Sequence, residues 1–162
     1  MLKNLPLPHS LCLVSVVALL FAAVSSSAQS SSNIDGHTVK VLSHPMVPIT
    51  LGSRIITATL ANTDATRIEG LLGWTQIGED QGMLLDFIRP GVFAIHMQGM
   101  KFPIDALWID SNGVIKLIYS QIQPNSGIVY PSLFEVRYCL EIAPGFCKKY
   151  GIKEGQKVKL GN

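Results

Sequence analysis

Hydrophobic and polar positions divide the chain into an amino-terminal apolar run and a longer region of short, alternating segments. Residues 11–24 are predominantly apolar, whereas after residue 36 the apolar residues come in short runs bounded by Gly, Pro, Asn and Asp. Such runs between turn residues are typical of β-strands with one buried face. The pattern therefore predicts a leader segment followed by a β-rich domain.

The strands and helices of that domain can be placed from the same pattern. The predicted strands cover residues 39–42, 55–60, 83–87, 93–98, 104–109, 114–119, 136–142 and 157–160. Asn112-Gly113 between two apolar runs predicts a hairpin, because both residues tolerate positive φ. A first short helix is predicted after residues 62–64, which offer N-caps, because Ile68, Leu71 and Leu72 fall at helical spacing before Gly73. A second short helix is predicted between Pro144 and Gly151. We expect a mainly β (α+β) fold, a compact single-domain sheet or barrel with two short helices.

The first 28 residues have the three parts of a secretory signal. Lys3 precedes the apolar run, and small side chains lead to a cleavage site after Ala28. A membrane-spanning helix needs about 20 apolar residues, so an uncleaved anchor is the less fitting alternative. We therefore expect a signal peptide (1–28), a flexible Ser/Asn-rich leader (29–36) and one domain (37–162), exported to the periplasm or secreted, with no stable membrane insertion after cleavage.

Charge argues against a nucleic-acid partner. Of the 13 basic residues only Lys3 lies in the predicted signal, so the remaining chain is close to neutral against 11 acidic residues. A near-neutral protein creates no field that attracts nucleic acid or an anionic membrane. The lysines near the carboxyl terminus are interleaved with apolar residues and indicate a solvated face.

Two cysteines remain once Cys12 leaves with the signal. An oxidising compartment permits a bridge between Cys139 and Cys147, but a bridge needs Cα atoms within about 7 Å. The alternative is two small buried thiols, since free cysteine packs well in cores. The sequence leaves both possibilities open.

Residues 67–160 resemble the bacterial and archaeal family called domain of unknown function 192. The resemblance is carried by a series of motifs at ordered spacings: Arg67-Ile68-Glu69-Gly70-Leu71-Leu72, Asp80-Gln81-Gly82-Met83-Leu84, His96-Met97-Gln98-Gly99-Met100-Lys101-Phe102-Pro103-Ile104-Asp105, Trp108-Ile109-Asp110, Tyr130-Pro131 and Arg137-Tyr138-Cys139-Leu140-Glu141. The family's commoner pattern has Trp-Met-Lys-Asn at positions 96–99, so this chain resembles a His-Met-x-Gly-Met subgroup. The family has no established activity, and the resemblance implies no catalytic residue.

His96, Met97 and Met100 form the first cluster with possible chemistry. Imidazole and thioether are ligands that suit copper. If residues 93–98 form a strand, however, His96 and Met97 point to opposite faces, and methionine commonly fills core gaps. The sequence favours core packing over a metal site.

Asp105 belongs to the second cluster, with Arg67 and Arg137 as possible partners. It shares a strand face with apolar residues, and a buried carboxylate needs a partner. An Arg–Asp pair that joins helix to sheet is one interpretation. The other is a ligand pocket in which guanidinium donors orient a carboxylate or sugar hydroxyls.

Asp105 and Glu141 could also form an acid–base pair, assisted by His96. Glycoside hydrolysis requires two carboxyls about 5–10 Å apart, and the alternative is ordinary cross-strand pairing of charges. A Gly-x-Ser-x-Gly elbow and a phosphate-binding glycine loop are both absent from the sequence.

These patterns lead to a ranked functional prediction. The first hypothesis is a non-enzymatic binding module for a small polar ligand or envelope glycan, with no cofactor, using Arg67, His96, Asp105, Arg137 and Glu141. A small extracytoplasmic hydrolase and a copper-handling protein are the alternatives.

Overall fold

The computed structural model describes residues 44–161, together with residues 33–34 and 37–38. The two short stretches form an antiparallel ladder, β1 (Asn33–Ile34) and β2 (His37–Thr38), within a unit of the chain that ends at Val39. β1 falls in the segment predicted as a leader. The predicted signal peptide and the strand predicted at 39–42 lie outside the described residues.

Nine strands and two helices make up the described part of the second unit. In chain order they are β3 (Met46–Leu51), β4 (Arg54–Ala61), α1 (Asp64–Glu69), β5 (Gln81–Gly91), β6 (Ala94–His96), β7 (Ile104–Ile109), β8 (Ile115–Ile122), β9 (Val129–Pro131), β10 (Val136–Ile142), α2 (Phe146–Tyr150) and β11 (Val158–Leu160). The predicted β-rich fold with two short helices is confirmed, and the predicted strands at 104–109 and 136–142 agree residue for residue with β7 and β10.

Seven of the strands form one curled sheet in the order β11-β3-β4-β5-β10-β7-β8. Only β4 and β5 run parallel; the other neighbours are antiparallel. The two edge strands approach each other where Val114 bridges to Lys157. The sheet is therefore a half-barrel, and a separate small ladder joins β6 to β9.

Gly113 lies where the two edges of the half-barrel meet. Its carbonyl oxygen accepts from the Val158 amide at 2.8 Å, and its φ is +79°. A Cβ atom on this residue would lie 2.7 Å from the Val158 oxygen, so only glycine fits. The predicted hairpin is confirmed, but Asn112 does not take positive φ; instead the Asp110 carboxylate accepts the Asn112 and Val114 amides, each at 2.9 Å.

The sheet is buried on both faces. The inner core lies inside the curl, because it joins residues from both edges of the sheet: Ile49, Leu51, Ile56, Ala58, Leu84, Leu107, Ile109, Ile115, Leu140, Ile142, Phe146, Cys147, Ile152 and Val158. The outer core lies on the opposite face: Ala61, Leu71, Ile77, Met83, Leu85, Met97, Met100, Phe102, Ile104, Ala106, Trp108, Ile122, Tyr130, Val136, Cys139 and Ala143. Alternate residues of β7 enter the two cores, which explains its nearly uniform hydrophobicity.

Helix α1 is shorter than the sequence predicts. Thr63 caps the start of the helix in a capping box with Thr66, which agrees with the N-cap predicted within residues 62–64. The helix ends at Glu69, because Gly70 takes a φ of +49°. Ile68, which was predicted to face the core, is 78% exposed. No helix within the described residues is long and apolar enough to cross a membrane.

Candidate functional site

A cavity of about 560 Å³ lies on the outer face of the sheet. Strands β5 and β10 provide its base, and the segments around α1 and β6 provide its sides. Its walls are apolar and include Leu71, Leu85, Phe87, Phe93, Met97 and Met100. Its rim carries the polar side chains of Asp64, Arg67, Glu69 and His96. We refer to it below as the Glu141 cavity, after the carboxyl group at its base.

Glu141 is a buried carboxyl group with no hydrogen-bond or ion-pair partner among residues 44–161. On β10 it lies between Met83 of β5 and Ala106 of β7, and it is 8% exposed. Burial raises the pKa of Glu141 to about 7. No hydrogen bond or cation within the described residues opposes that shift, so the charged form is destabilised by its apolar surroundings.

Arg67 borders the cavity and is already engaged. Its Nη1 donates to the Asp86 carbonyl oxygen at 2.6 Å, and its Nη2 pairs with Asp64 one turn earlier in α1. The guanidinium also lies 5.6 Å from the centroid of the Phe87 ring, within the range of a cation–π contact. These contacts fix α1 against β5 and hold one side of the rim in place.

Arg137 pairs with Asp86 of the neighbouring strand and not with Asp105. Its Nε and Nη2 donate to the two Asp86 carboxylate oxygens, both at 3.0 Å. The same carboxylate accepts the Ile88 amide at 2.7 Å. The hydrogen bond that Arg137 donates to Asp86 raises the pKa of Arg137. The predicted pairing of Asp105 with Arg67 or Arg137 is therefore wrong, because both arginines meet at Asp86 instead.

Asp105 anchors helix α2 on the other face of the sheet. It is 0% exposed, and its Oδ1 accepts the amides of Gln121 at 2.8 Å and Gly145 at 2.9 Å. Its Oδ2 accepts the Cys147 amide at 2.9 Å. The buried carboxylate thus accepts two amides at the start of α2 and one from β8, and it joins the helix to the sheet. Asp105 does not line the cavity.

His96, Met97 and Met100 all line the cavity, but their surroundings resemble packing more than metal coordination. Met97 and Met100 are buried in the outer core at 2% and 7% exposure. The Nδ1 atom of His96 accepts the Gln98 amide at 3.3 Å. Within the described residues, no group of three or more His, Cys, Asp or Glu could hold a metal ion.

Cys139 and Cys147 are unbridged and lie in different cores. Cys139 is in the outer core and Cys147 is in the inner core. Burial raises the pKa of both thiols, and the nearby Glu141 and Asp105 carboxyls add to the effect at Cys139 and Cys147 respectively. The structure thus shows two buried thiols, the second of the two alternatives that the sequence leaves open.

The structure brings three of the five predicted site residues together. Arg67, His96 and Glu141 share the cavity, whereas Asp105 and Arg137 lie outside it. Sequence reasoning missed Phe87 and Phe93, whose rings stack with centroids 3.9 Å apart at the cavity wall. It also missed Asp86, although a lone charge inside an apolar strand segment is a signal that could have found it.

Comparisons with known proteins agree with the fold. The family model of domain of unknown function 192, described as an uncharacterised ACR, matches residues 47–160. A Sinorhizobium meliloti 1021 protein, described as a "putative transcription regulator", is 28% identical with a TM-score of 0.71, and the match covers 74% of this chain and 97% of that one. A Novosphingobium aromaticivorans DSM 12444 protein of unknown function is 23% identical with a TM-score of 0.68, covering 83% of this chain and 94% of that one. No curated protein matches the sequence.

Proposed function

Given that the chain belongs to the uncharacterised family domain of unknown function 192, we propose that it is a binding module for a small molecule held in the Glu141 cavity. The ligand combines an apolar body with one polar group that hydrogen-bonds to the buried carboxyl. The observation that carries this proposal is the burial of Glu141, at 8% exposure, beside an open cavity and without a partner in the described residues.

The size and lining of the cavity support a small-molecule ligand. Small-molecule sites typically have volumes of about 300–1,000 Å³ and are lined mostly by apolar and aromatic side chains with few polar groups. The Glu141 cavity, at about 560 Å³, matches this description. A buried polar group without a hydrogen bond is costly, and a ligand that donates to Glu141 would remove that cost.

The apolar side chains that line the cavity restrict which of the predicted ligands, a small polar molecule or a glycan, it can bind. Phe87 and Phe93 present apolar ring surface, and Met97 and Met100 add thioether side chains. A fully polar molecule would lose its hydration against such walls without recovering hydrogen bonds. We therefore favour a ligand with a hydrocarbon part over an extended glycan, and the signal features of residues 1–28 support placing the module outside the cytoplasm.

Ligand screening against matched variants tests the proposal. We expect amphipathic compounds to raise the thermal midpoint of the wild-type protein and to have much less effect on Glu141→Leu, which keeps an apolar side chain of similar size but removes the hydrogen-bond acceptor. Glu135→Gln is the control, because Glu135 is exposed and lies outside the cavity. If the compounds stabilise Glu141→Leu as well as wild type, their polar group does not bind Glu141 and the proposal is wrong.

A small hydrolase is the second candidate, favoured by the raised pKa of Glu141. A group with a pKa of about 7 exchanges protons efficiently at neutral pH, and His96 lines the same cavity. Asp105 cannot be its partner, since it lies on the other face of the sheet. Hydrolysis of a chromogenic ester or glycoside by wild type but not by Glu141→Gln would favour this candidate over binding alone.

Charge does not support a role in DNA binding. The Sinorhizobium meliloti relative is described as a "putative transcription regulator", but this chain has a formal net charge of +2 over 162 residues. Affinity for nucleic acid depends mainly on basic groups that neutralise phosphates. We therefore do not extend that description to this protein.

A further inference from the structure

The Glu141 cavity carries more acidic than basic groups. Asp64 and Glu69 lie on its rim and Glu141 lies at its base, against the guanidinium of Arg67 and the imidazole of His96. Arg67 is paired with Asp64, and Glu69 has His44 Nε2 3.6 Å from its carboxylate. Of these carboxyl groups Glu141 alone is buried, and no cation within the described residues pairs with it.

The chemistry of a carboxylate decides which ligand groups can bind to Glu141. An ionised carboxylate is an acceptor only, so its partner must bring N–H or O–H donors. A neutral hydroxyl supplies a hydrogen bond but leaves the buried negative charge uncompensated. An ammonium group supplies both donors and the opposite charge, and opposite charges attract more strongly in apolar surroundings than in water. An anionic ligand would be repelled by the ionised Glu141.

The position of Glu141 also fixes how such a ligand would lie. The carboxyl lies on the sheet that forms the base of the cavity, whereas Leu71, Phe93 and Met97 line its sides. An ammonium at Glu141 therefore requires a hydrocarbon part that extends from the base toward the rim. On the basis of the proposed function, we infer that the ligand is a small organic amine, with its ammonium paired to Glu141 and its hydrocarbon body against these walls.

Calorimetric titrations with matched probes at pH 8 test this inference. One series of probes has a phenyl body: 2-phenylethylamine, 2-phenylethanol and phenylacetate. The other has a hexyl body: hexylamine and hexanol. Within each series the hydrocarbon body is similar and only the polar head group changes. We expect each amine to bind at least about tenfold more tightly than its alcohol, as for a hydrogen bond to a charged group. Phenylacetate should bind more weakly than the alcohol.

Variants assign the effect to Glu141. In Glu141→Gln the amide keeps the size of the side chain, and the amines should lose at least about tenfold in affinity while the alcohols change by about twofold or less. Glu135→Gln should bind all the probes as wild type does. Circular dichroism spectra that match wild type show that the variants are folded.

The outcomes separate this inference from the function on which it rests. If alcohols bind wild type as tightly as amines do, the ligand is not a cation and the inference is overturned, while binding in the cavity stands. If amines bind Glu141→Gln as tightly as wild type, the ammonium does not pair with Glu141 and the inference is also overturned. If no probe with any head group binds, the proposed function itself fails.

Discussion

Asp105 and Glu141 lie on neighbouring strands, and their side chains point to opposite faces of the sheet. Asp105 is the register partner of Ile142, next to Glu141 on β10, while Glu141 is the partner of Ala106, next to Asp105 on β7. Asp105 accepts three backbone amides inside the half-barrel. Glu141 accepts no hydrogen bond from the described residues and faces the cavity. One buried carboxyl therefore stabilises the fold, and the other costs stability.

Asp105→Asn is expected to destabilise the protein by about 2–4 kcal/mol, because an amide replaces charged hydrogen bonds and leaves a buried backbone donor without an acceptor. Urea unfolding at pH 7 measures the change. Asp80→Asn is the control, since Asp80 is exposed and should change stability little. Amine binding by Asp105→Asn at low temperature should persist, and a loss of stability no greater than that of the control would contradict the anchoring role.

Glu141→Gln is expected to stabilise the protein at pH 8 but not at pH 4.5. Between pH 4.5 and about 7 the folded state keeps a proton that the unfolded state has lost, because the pKa is raised from 4.5 to about 7. Stability therefore falls as pH rises through this window, and the cost above pH 7 is about 3 kcal/mol. Unfolding free energies of wild type and variant at both pH values test this; a difference independent of pH would contradict it.

The strands were predictable because hydrophobic periodicity is local. Residues 104–109 and 136–142 contain enough apolar side chains to identify β7 and β10 without any tertiary information. The end of α1 was not predictable from periodicity, because it depends on the backbone conformation of Gly70. Ile68 at helical spacing wrongly suggested an apolar face, since the helix lies over a cavity rim rather than flat on the core.

The cavity was only partly predictable. Charged residues within apolar segments indicated Arg67, Asp105, Arg137 and Glu141, but periodicity cannot tell which carboxyl an arginine will reach across the sheet. That choice depends on register, which places Tyr138 of β10 opposite Asp86 of β5 and brings Arg137 within reach of its carboxylate. Phe93 packs onto Phe87, six residues earlier, through an irregular segment of the chain, and such a contact leaves no periodic signal.

The Arg137–Asp86 pair is expected to show a coupling free energy of about 1 kcal/mol in a double-mutant cycle. The bidentate geometry favours coupling, while the 35% exposure of the Arg137 side chain limits it. Arg137→Ala, Asp86→Ala and the double variant, measured by urea unfolding, provide the value. The exposed Lys149–Glu79 pair is the comparison and should couple less; equal coupling of the two pairs would contradict this.

Cys139 and Cys147 should be inert in the folded protein. Both are buried, burial raises the pKa of each thiol, and they lie in separate cores. A thiol-reactive chromogenic disulfide should therefore label a Cys12→Ser variant slowly under native conditions and at two sites in denaturant. Dithiothreitol should leave the thermal midpoint unchanged. A midpoint lowered by dithiothreitol would show that a disulfide stabilises the fold.

Amine affinity should rise about tenfold from pH 6 to pH 8. With a pKa of about 7, the ionised fraction of Glu141 grows from roughly one tenth to roughly nine tenths over this interval, while an alkylamine stays protonated. The other ionisable groups that face the cavity or adjoin Glu141 are Asp64, Arg67, Glu69, His96 and Cys139. Calorimetry with 2-phenylethylamine at several pH values should show the rise in wild type and its disappearance in Glu141→Gln. His96→Gln should retain the slope; if that variant loses it instead, the titrating group is His96 and the assignment to Glu141 is wrong.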